Sequence, residues 1–181
     1  LPSPEYMAER VWEPAGMLLT SLDPLDVLAH GDFAWGHEGS VRYAPDSYYS
    51  PWVAPAGLAF STPTELVRWA LLLGSGGGGV VSASSAAAMQ TAHVELGYAP
   101  WLAYGYGIMV DQARDLDEPS LRVAMYQHGG NAPGWSSQLF WIPDRGFAVS
   151  VLGNTIQSLS GSAYCAIRVL ENLGPTPTSG L

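Results

Sequence analysis

The sequence predicts an α+β domain, an antiparallel sheet covered by helices. Two observations carry this. Helix patterns with capping signals and irregular segments occupy residues 1–92, strand patterns with hairpin-length connections occupy 102–154, and an apolar helical face follows over 157–173. Helices set apart from strands in this way give an α+β layer arrangement rather than a βαβ one. The central strands are also apolar on both sides, as in Phe140-Trp141-Ile142 and Val149-Ser150-Val151-Leu152, so both sheet faces are expected to be covered.

The first helix signal is Ser3-Pro4, read as an N-cap with proline at the first helical position, ahead of Glu5-Tyr6-Met7-Ala8-Glu9-Arg10-Val11-Trp12. Glu13-Pro14-Ala15-Gly16-Met17 stops it. Asp23-Pro24 repeats the signal before a second short helix over 25–29. Residues 30–56 have neither a helical nor a strand period, and a loop of that length is usually functional or tied down by its neighbours. Its aromatic residues are expected to pack. Thr62-Pro63-Thr64-Glu65 reads as a capping box with proline at N1. Leu66, Val67, Ala70, Leu71 and Leu73 give that helix its apolar face, and Gly74 ends it. Residues 82–91 read as a short serine-capped, alanine-rich helix.

Four strands are expected at 102–110, 121–127, 137–142 and 147–152, with an acidic loop over 111–120. On this reading the second strand delivers His128, Gly129 and Gly130 to a loop. The terminal helix places Leu159, Ala163, Ala166, Ile167, Leu170 and Leu173 on one face.

Composition excludes several chemistries. A net charge of −9 argues against nucleic acid and against electrostatic binding to anionic membranes. Charged residues are 13%, where about a quarter is usual, and 48% are hydrophobic, so the chain is either deeply packed or carries apolar surface for a partner. All seven basic residues are arginine, which removes any lysine base or Schiff base. The four-glycine run after Ser75 lacks the Lys-Ser/Thr of a phosphate-binding loop. Cys165 is the single cysteine, so no intrachain disulfide forms, and it is expected to be a small buried hydrophobe. His30, His37 and His93 have no metal-ligand spacing, and no metal or cofactor is expected. Neither long uncharged window, 69–92 or 146–167, reads as a membrane span. The chain opens on leucine with no signal-like pattern, so a processed, truncated or split product is expected.

Three runs then carry a resemblance. They are Tyr104-Gly105-Tyr106-Gly107-Ile108-Met109-Val110, His128-Gly129-Gly130-Asn131-Ala132-Pro133-Gly134-Trp135-Ser136-Ser137, and Ile142-Pro143-Asp144-Arg145-Gly146-Phe147 with Leu152-Gly153-Asn154. Upstream, Trp12-Glu13-Pro14-Ala15-Gly16-Met17 and Gly57-Leu58-Ala59-Phe60-Ser61-Thr62 stand in the same order. Together they resemble the C-terminal half of the β-lactamase-related serine hydrolases, which include class C β-lactamases, D-Ala-D-Ala carboxypeptidases and family VIII esterases. The resemblance implies an incomplete β-lactamase/penicillin-binding-protein transpeptidase-like fold, with 1–181 forming a single partial domain.

That family uses S-x-x-K, then Y-x-N or a variant, then K-T-G or a variant such as H-x-G. Only the third has a counterpart here, His128-Gly129-Gly130. The resemblance implies that His128 lines a cleft, that Gly129 and Gly130 make room for substrate, and that the backbone N–H of Asn131 serves the oxyanion hole. Histidine is the weaker cation at neutral pH, which favours ester or peptide substrates over β-lactams. The expected activity is cleavage of an ester, amide or D-amino-acid peptide bond through an acyl-enzyme, with the nucleophile-bearing half outside this chain. By itself the chain is expected to be inactive, or to need a second chain supplying the serine, lysine and tyrosine. Two alternatives stay open: a non-catalytic ligand-binding module that keeps the cleft wall, and a fragment of the hydrolase. A periplasmic or extracellular location follows from the resemblance alone.

Overall fold

The computed structural model describes residues 2–97, 101–111, 124–159, 161, 162 and 165. Helix α1 (Ser3–Met7) runs into a π-helical turn, Ala8–Trp12. The expected cap is displaced by one position: Pro2 is the N-cap residue, because its carbonyl accepts the Tyr6 N–H at 3.0 Å, and Ser3 is already helical. The π turn is visible in two wide bonds, Glu13 N to Ala8 O at 2.9 Å and Met17 N to Trp12 O at 2.8 Å. It rotates Trp12 inward, where it is buried with Ala15, Met17, Leu22 and Ala54.

Helix α2 (Pro24–His30) follows the sequence signal closely. Asp23 accepts the Leu25 N–H at 2.8 Å, and Gly31 closes the helix in the left-handed region at φ 81°. The segment expected to be irregular contains a hairpin, β1 (Gly36–Glu38) with β2 (Val41–Tyr43), and a short helix α3 (Ala54–Gly57). Strands of three residues are too short to show a period, and this hairpin is held from outside: the His37 N–H meets Gly134 O at 3.1 Å and Asn154 O at 3.0 Å. The aromatic residues here pack pairwise, as Phe33 on Trp35 and Tyr43 on Tyr48, with Arg42 4.1 Å over the Trp35 ring. Trp52 departs from that expectation and is 93% exposed.

Helix α4 (Pro63–Gly74) begins at the Thr62 cap, whose hydroxyl accepts the Glu65 N–H at 3.3 Å. Glu65 does not complete the capping box. Its carboxylate is buried and instead takes the Leu19 N–H and the Thr20 hydroxyl. Ala70 and Leu73 face the core, whereas Leu71 is exposed. Helix α5 (Ala83–Met89) is capped by Ser82, as expected.

Among the described residues six strands, not four, form the main sheet in sequence order: β3 (Val94–Glu95), β4 (Leu102–Tyr104), β5 (Met109–Asp111), β6 (Met125–Ala132), β7 (Trp135–Ile142) and β8 (Phe147–Gly153). Every pair is antiparallel. The strand expected over 102–110 folds back on itself as the β4–β5 hairpin. Gly105 lies against the backbone carbonyls of Met89 and Thr91, where a Cβ would collide, and the Tyr106 N–H bonds to Met89 O at 3.2 Å. This contact with the end of α5 fixes the bend, and alternation along the sequence does not reveal it.

Helices α4 and α5 cover one face of the sheet. Trp141 is buried against Ala70, Leu73, Ala86 and Ile108, and Tyr126 stacks on it at 5.6 Å. On the other face Phe140 and Met125 are buried too, so both faces hide apolar side chains. Burying side chains of this size contributes about 1.5–3 kcal/mol each before entropy is counted. The acidic loop at 112–120 and the strand start at 121–123 lie outside the described residues, as does most of the terminal helix, whose residues 161, 162 and 165 are helical. Leu159 is buried but precedes that helix. Cys165 is exposed, contrary to its apolar surroundings in the sequence. Among the described residues, no helix is long and apolar enough to cross a membrane.

Candidate active site

His128, Gly129 and Gly130 lie within β6 rather than in a loop, and the loop after them is the two-residue turn Pro133–Gly134. Proline sets the first turn position and Gly134, at φ 86°, the second. The turn closes on the pair Ala132–Trp135, which fixes the register back to Tyr126–Trp141. Residues along an antiparallel strand alternate in which neighbour their backbone groups address. With Ala132 turned toward β7, so are Gly130 and His128, while Gly129 and Asn131 turn the other way.

On that other side β6 has company only at first. Strand β5 pairs with Met125, Tyr126 and Gln127 and then ends. From His128 onward no strand lies beside β6 among the described residues, so Gly129 and Asn131 address an open edge. An added Cβ at Gly129 would be tight against the Ser137 carbonyl at 3.2 Å and would push aside the end of the flexible Gln138 side chain, whose Oε1 would be 2.5 Å away.

The His128 ring bends toward this edge. Its Nδ1 is 2.8 Å from Gly129 O, and its Nε2 is 2.9 Å from the Tyr104 hydroxyl. The Tyr104 and His128 rings meet edge to face at 5.9 Å. Tyr104 was not singled out as a site residue from the sequence. It lies within a run that carried the family resemblance, but its separation of 24 residues from His128 gives no local signal.

A cleft of about 1080 Å³ opens elsewhere, between the α1–α2 region and the sheet end, with Phe60, Trp135, Leu152 and Asn154 among its lining. None of His128, Gly129, Gly130 or Asn131 lines it. Trp135 is half-buried there and donates its indole N–H to Ala34 O at 3.0 Å. His37 sits in β1, and the His93 ring lies 4.4 Å from that of Tyr106. Among the described residues, no three His, Cys, Asp or Glu side chains are grouped to hold a metal.

The helix-backed antiparallel sheet carries a His-Gly-Gly strand at an open edge, and the match to a family model gives this arrangement as a fold of the serine-hydrolase type. The family model described as Beta-lactamase matches residues 2–173, and the chain belongs to that family. Similar solved structures include the octameric penicillin-binding protein homologue from Pyrococcus abyssi, at 21% identity and a TM-score of 0.79, covering 98% of this chain and 39% of that one. The penicillin-binding protein from Bacillus halodurans matches at 21% identity and a TM-score of 0.68, covering 94% and 49%. The D-amino acid amidase from Ochrobactrum anthropi SV3 matches at 18% and 0.63, covering 94% and 51%. The chain therefore spans between about two fifths and one half of these proteins. No curated protein matches it.

Proposed function

We propose that this chain is the C-terminal part of a serine hydrolase that cleaves an ester, amide or D-amino-acid peptide bond through an acyl-enzyme. The observation that carries the reading is the open edge of β6, where Gly129 and Asn131 direct backbone groups beside His128. An acyl chain laid along that edge is held as an added strand would be. The attacking serine comes from the S-x-x-K half of the family's fold, outside this chain. Its oxygen bonds to the acyl carbon, its proton passes to a base of that half, and the carbonyl oxygen becomes an oxyanion. The Asn131 N–H and the serine's own N–H hold that charge. A single donor of this kind is worth about 10²–10³ in rate. Collapse of the intermediate expels the alcohol or amine with its proton, and water then releases the acid by the same route.

In this reading His128 lines the cleft beside the substrate. It is a poorer anchor than lysine for a substrate carboxylate, which favours ester and peptide substrates over β-lactams. The similar Ochrobactrum protein is a D-amino acid amidase, an amide-cleaving relative consistent with this class.

Fluorophosphonate labelling tests the reading. The chain alone stays unlabelled, and the chain joined to a segment carrying S-x-x-K and Y-x-N becomes labelled on the serine of that segment. Label on this chain by itself overturns the proposal, and no label on the joined protein favours a non-catalytic binding module.

A further inference from the structure

Tyr104 has no part in the mechanism above, yet its hydroxyl is 2.9 Å from Nε2 of His128. Both ring nitrogens of that histidine are therefore engaged, and the two contacts together restrict its protonation state. A backbone carbonyl only accepts, so the contact of Nδ1 with Gly129 O at 2.8 Å places a hydrogen on Nδ1. On the neutral ring Nε2 is then a lone pair, and the Tyr104 O–H donates to it. The tyrosine is itself held firmly. It pairs with Met109 across the β4–β5 hairpin, and the next residues, Gly105 and Tyr106, are pinned on Met89 O at the end of α5.

We propose that Tyr104 is a positioning residue that fixes His128 as the Nδ1–H tautomer and folds its ring across the open edge of β6. The ring N–H then takes one of the two lone pairs of the Gly129 carbonyl, the acceptor that an incoming chain would use for an amide N–H. A substrate that donates an N–H there competes with His128. An acyl group with no N–H at that position loses nothing, whether its scissile bond is an ester or an amide. Tyr104 thus biases the site toward acyl groups that do not need the Gly129 carbonyl. This consequence for specificity rests on the hydrolase reading, whereas the tautomer and the ring position do not.

The test is long-range ¹H–¹⁵N NMR on the full chain labelled in histidine, with His128 assigned through His128→Gln. Wild type is expected to show a protonated Nδ1 and an unprotonated Nε2 at His128. Tyr104→Phe keeps the ring and removes the donor. It is expected to shift the tautomer ratio about five-fold toward Nε2–H, the effect of one ordinary net hydrogen bond. Tyr106→Phe, whose ring meets His93, is the control and leaves the His128 resonances in place. A wild-type His128 protonated on Nε2, or a Tyr104→Phe spectrum with unchanged His128 resonances, overturns the proposal. If Tyr104→Phe does not fold, the ¹⁵N shift of wild-type Nε2 decides: it moves away from that of a free imidazole lone pair when the Tyr104 O–H donates to it, and an unmoved shift overturns the proposal. Because none of these spectra depends on a nucleophile, their outcome is separable from the fluorophosphonate result.

Discussion

The Thr20 hydroxyl donates to the Glu65 carboxylate at 2.6 Å, across 45 residues of chain. The same carboxylate accepts the Leu19 N–H at 2.9 Å, and Thr20 Oγ1 lies 2.7 Å from Ser61 Oγ. One buried side chain at the start of α4 therefore ties the segment after Met17 to the helix entry. An acceptor with several donors at a buried position is costly to remove, since each donor left behind loses water without gaining a partner.

Glu65→Ala is accordingly expected to lower stability by about 2–4 kcal/mol in urea unfolding, and Glu65→Gln by about 1–2 kcal/mol. An alanine variant within about 0.5 kcal/mol of wild type, the range of ordinary surface changes, would mean that Glu65 is only a surface cap.

At Gly134 the backbone is left-handed, and a Cβ would also approach Gly36 Cα at 2.8 Å and Tyr43 Cδ2 at 2.6 Å. Gly134→Ala is therefore expected to cost about 1–3 kcal/mol and to loosen the β1–β2 hairpin from the turn. Amide exchange at His37, whose N–H bonds to Gly134 O, reports this directly. An unchanged His37 exchange rate would refute the coupling.

Tyr126 gives a pH dependence. Burial first, and the Asp144 carboxylate second, raise its pKa above the ordinary 10.0. The protonated phenol is neutral, so the folded state favours it more than the unfolded state does. That contribution is fully present below pH 10 and is lost as pH rises through the folded value. Tyr43, pushed up to about 12 by its hydrogen bonds to Tyr48 and Glu38, acts with the same sign at the alkaline end. Ultraviolet titration of phenolate, compared between wild type and Tyr126→Phe, isolates the first of these. A Tyr126 that ionises with free tyrosine contradicts the packing described.

Trp141 anchors the helix layer to the sheet. Its indole N–H bonds Gln90 Oε1 at 2.9 Å, and Gln90 Nε2 bonds the carbonyls of Leu73 and Ala86. Trp141→Phe is expected to cost about 1–3 kcal/mol through the stranded amide oxygen and the lost volume. Its cost should shrink in a Gln90→Leu background, where no amide oxygen is left unpaired. Equal costs in the two backgrounds would show that the loss is volume alone.

Much of this was legible in the sequence where the signal is local. Asp23, Thr62 and Ser82 cap their helices because a cap acts within three residues of itself. The buried end of β7 was readable from its apolar run, whereas the apolar run of β8 is only partly buried and its Leu152 exposed; the His128-Gly129-Gly130 run with its flanking patterns marked the family that the chain belongs to. Contacts made across the fold were not readable. Glu65 has a capping-box position, yet its carboxylate goes to the more buried donors on Leu19 and Thr20. The 102–110 run has strand composition, yet α5 bends it into a hairpin at Gly105.

The opening expectation for His128 changed in the same way. The sequence determined that a histidine and two glycines stand before a Pro-Gly turn in a chain with no lysine, which restricts the chemistry this wall can supply. The tertiary structure decided that they lie in a strand, that β5 ends beside them at Gln127, and that Tyr104 reaches the His128 ring. The physical reason is range. Propensities, caps and turns are settled by a few neighbouring residues, whereas an open strand edge and a ring held at both nitrogens exist only once distant strands have found their register.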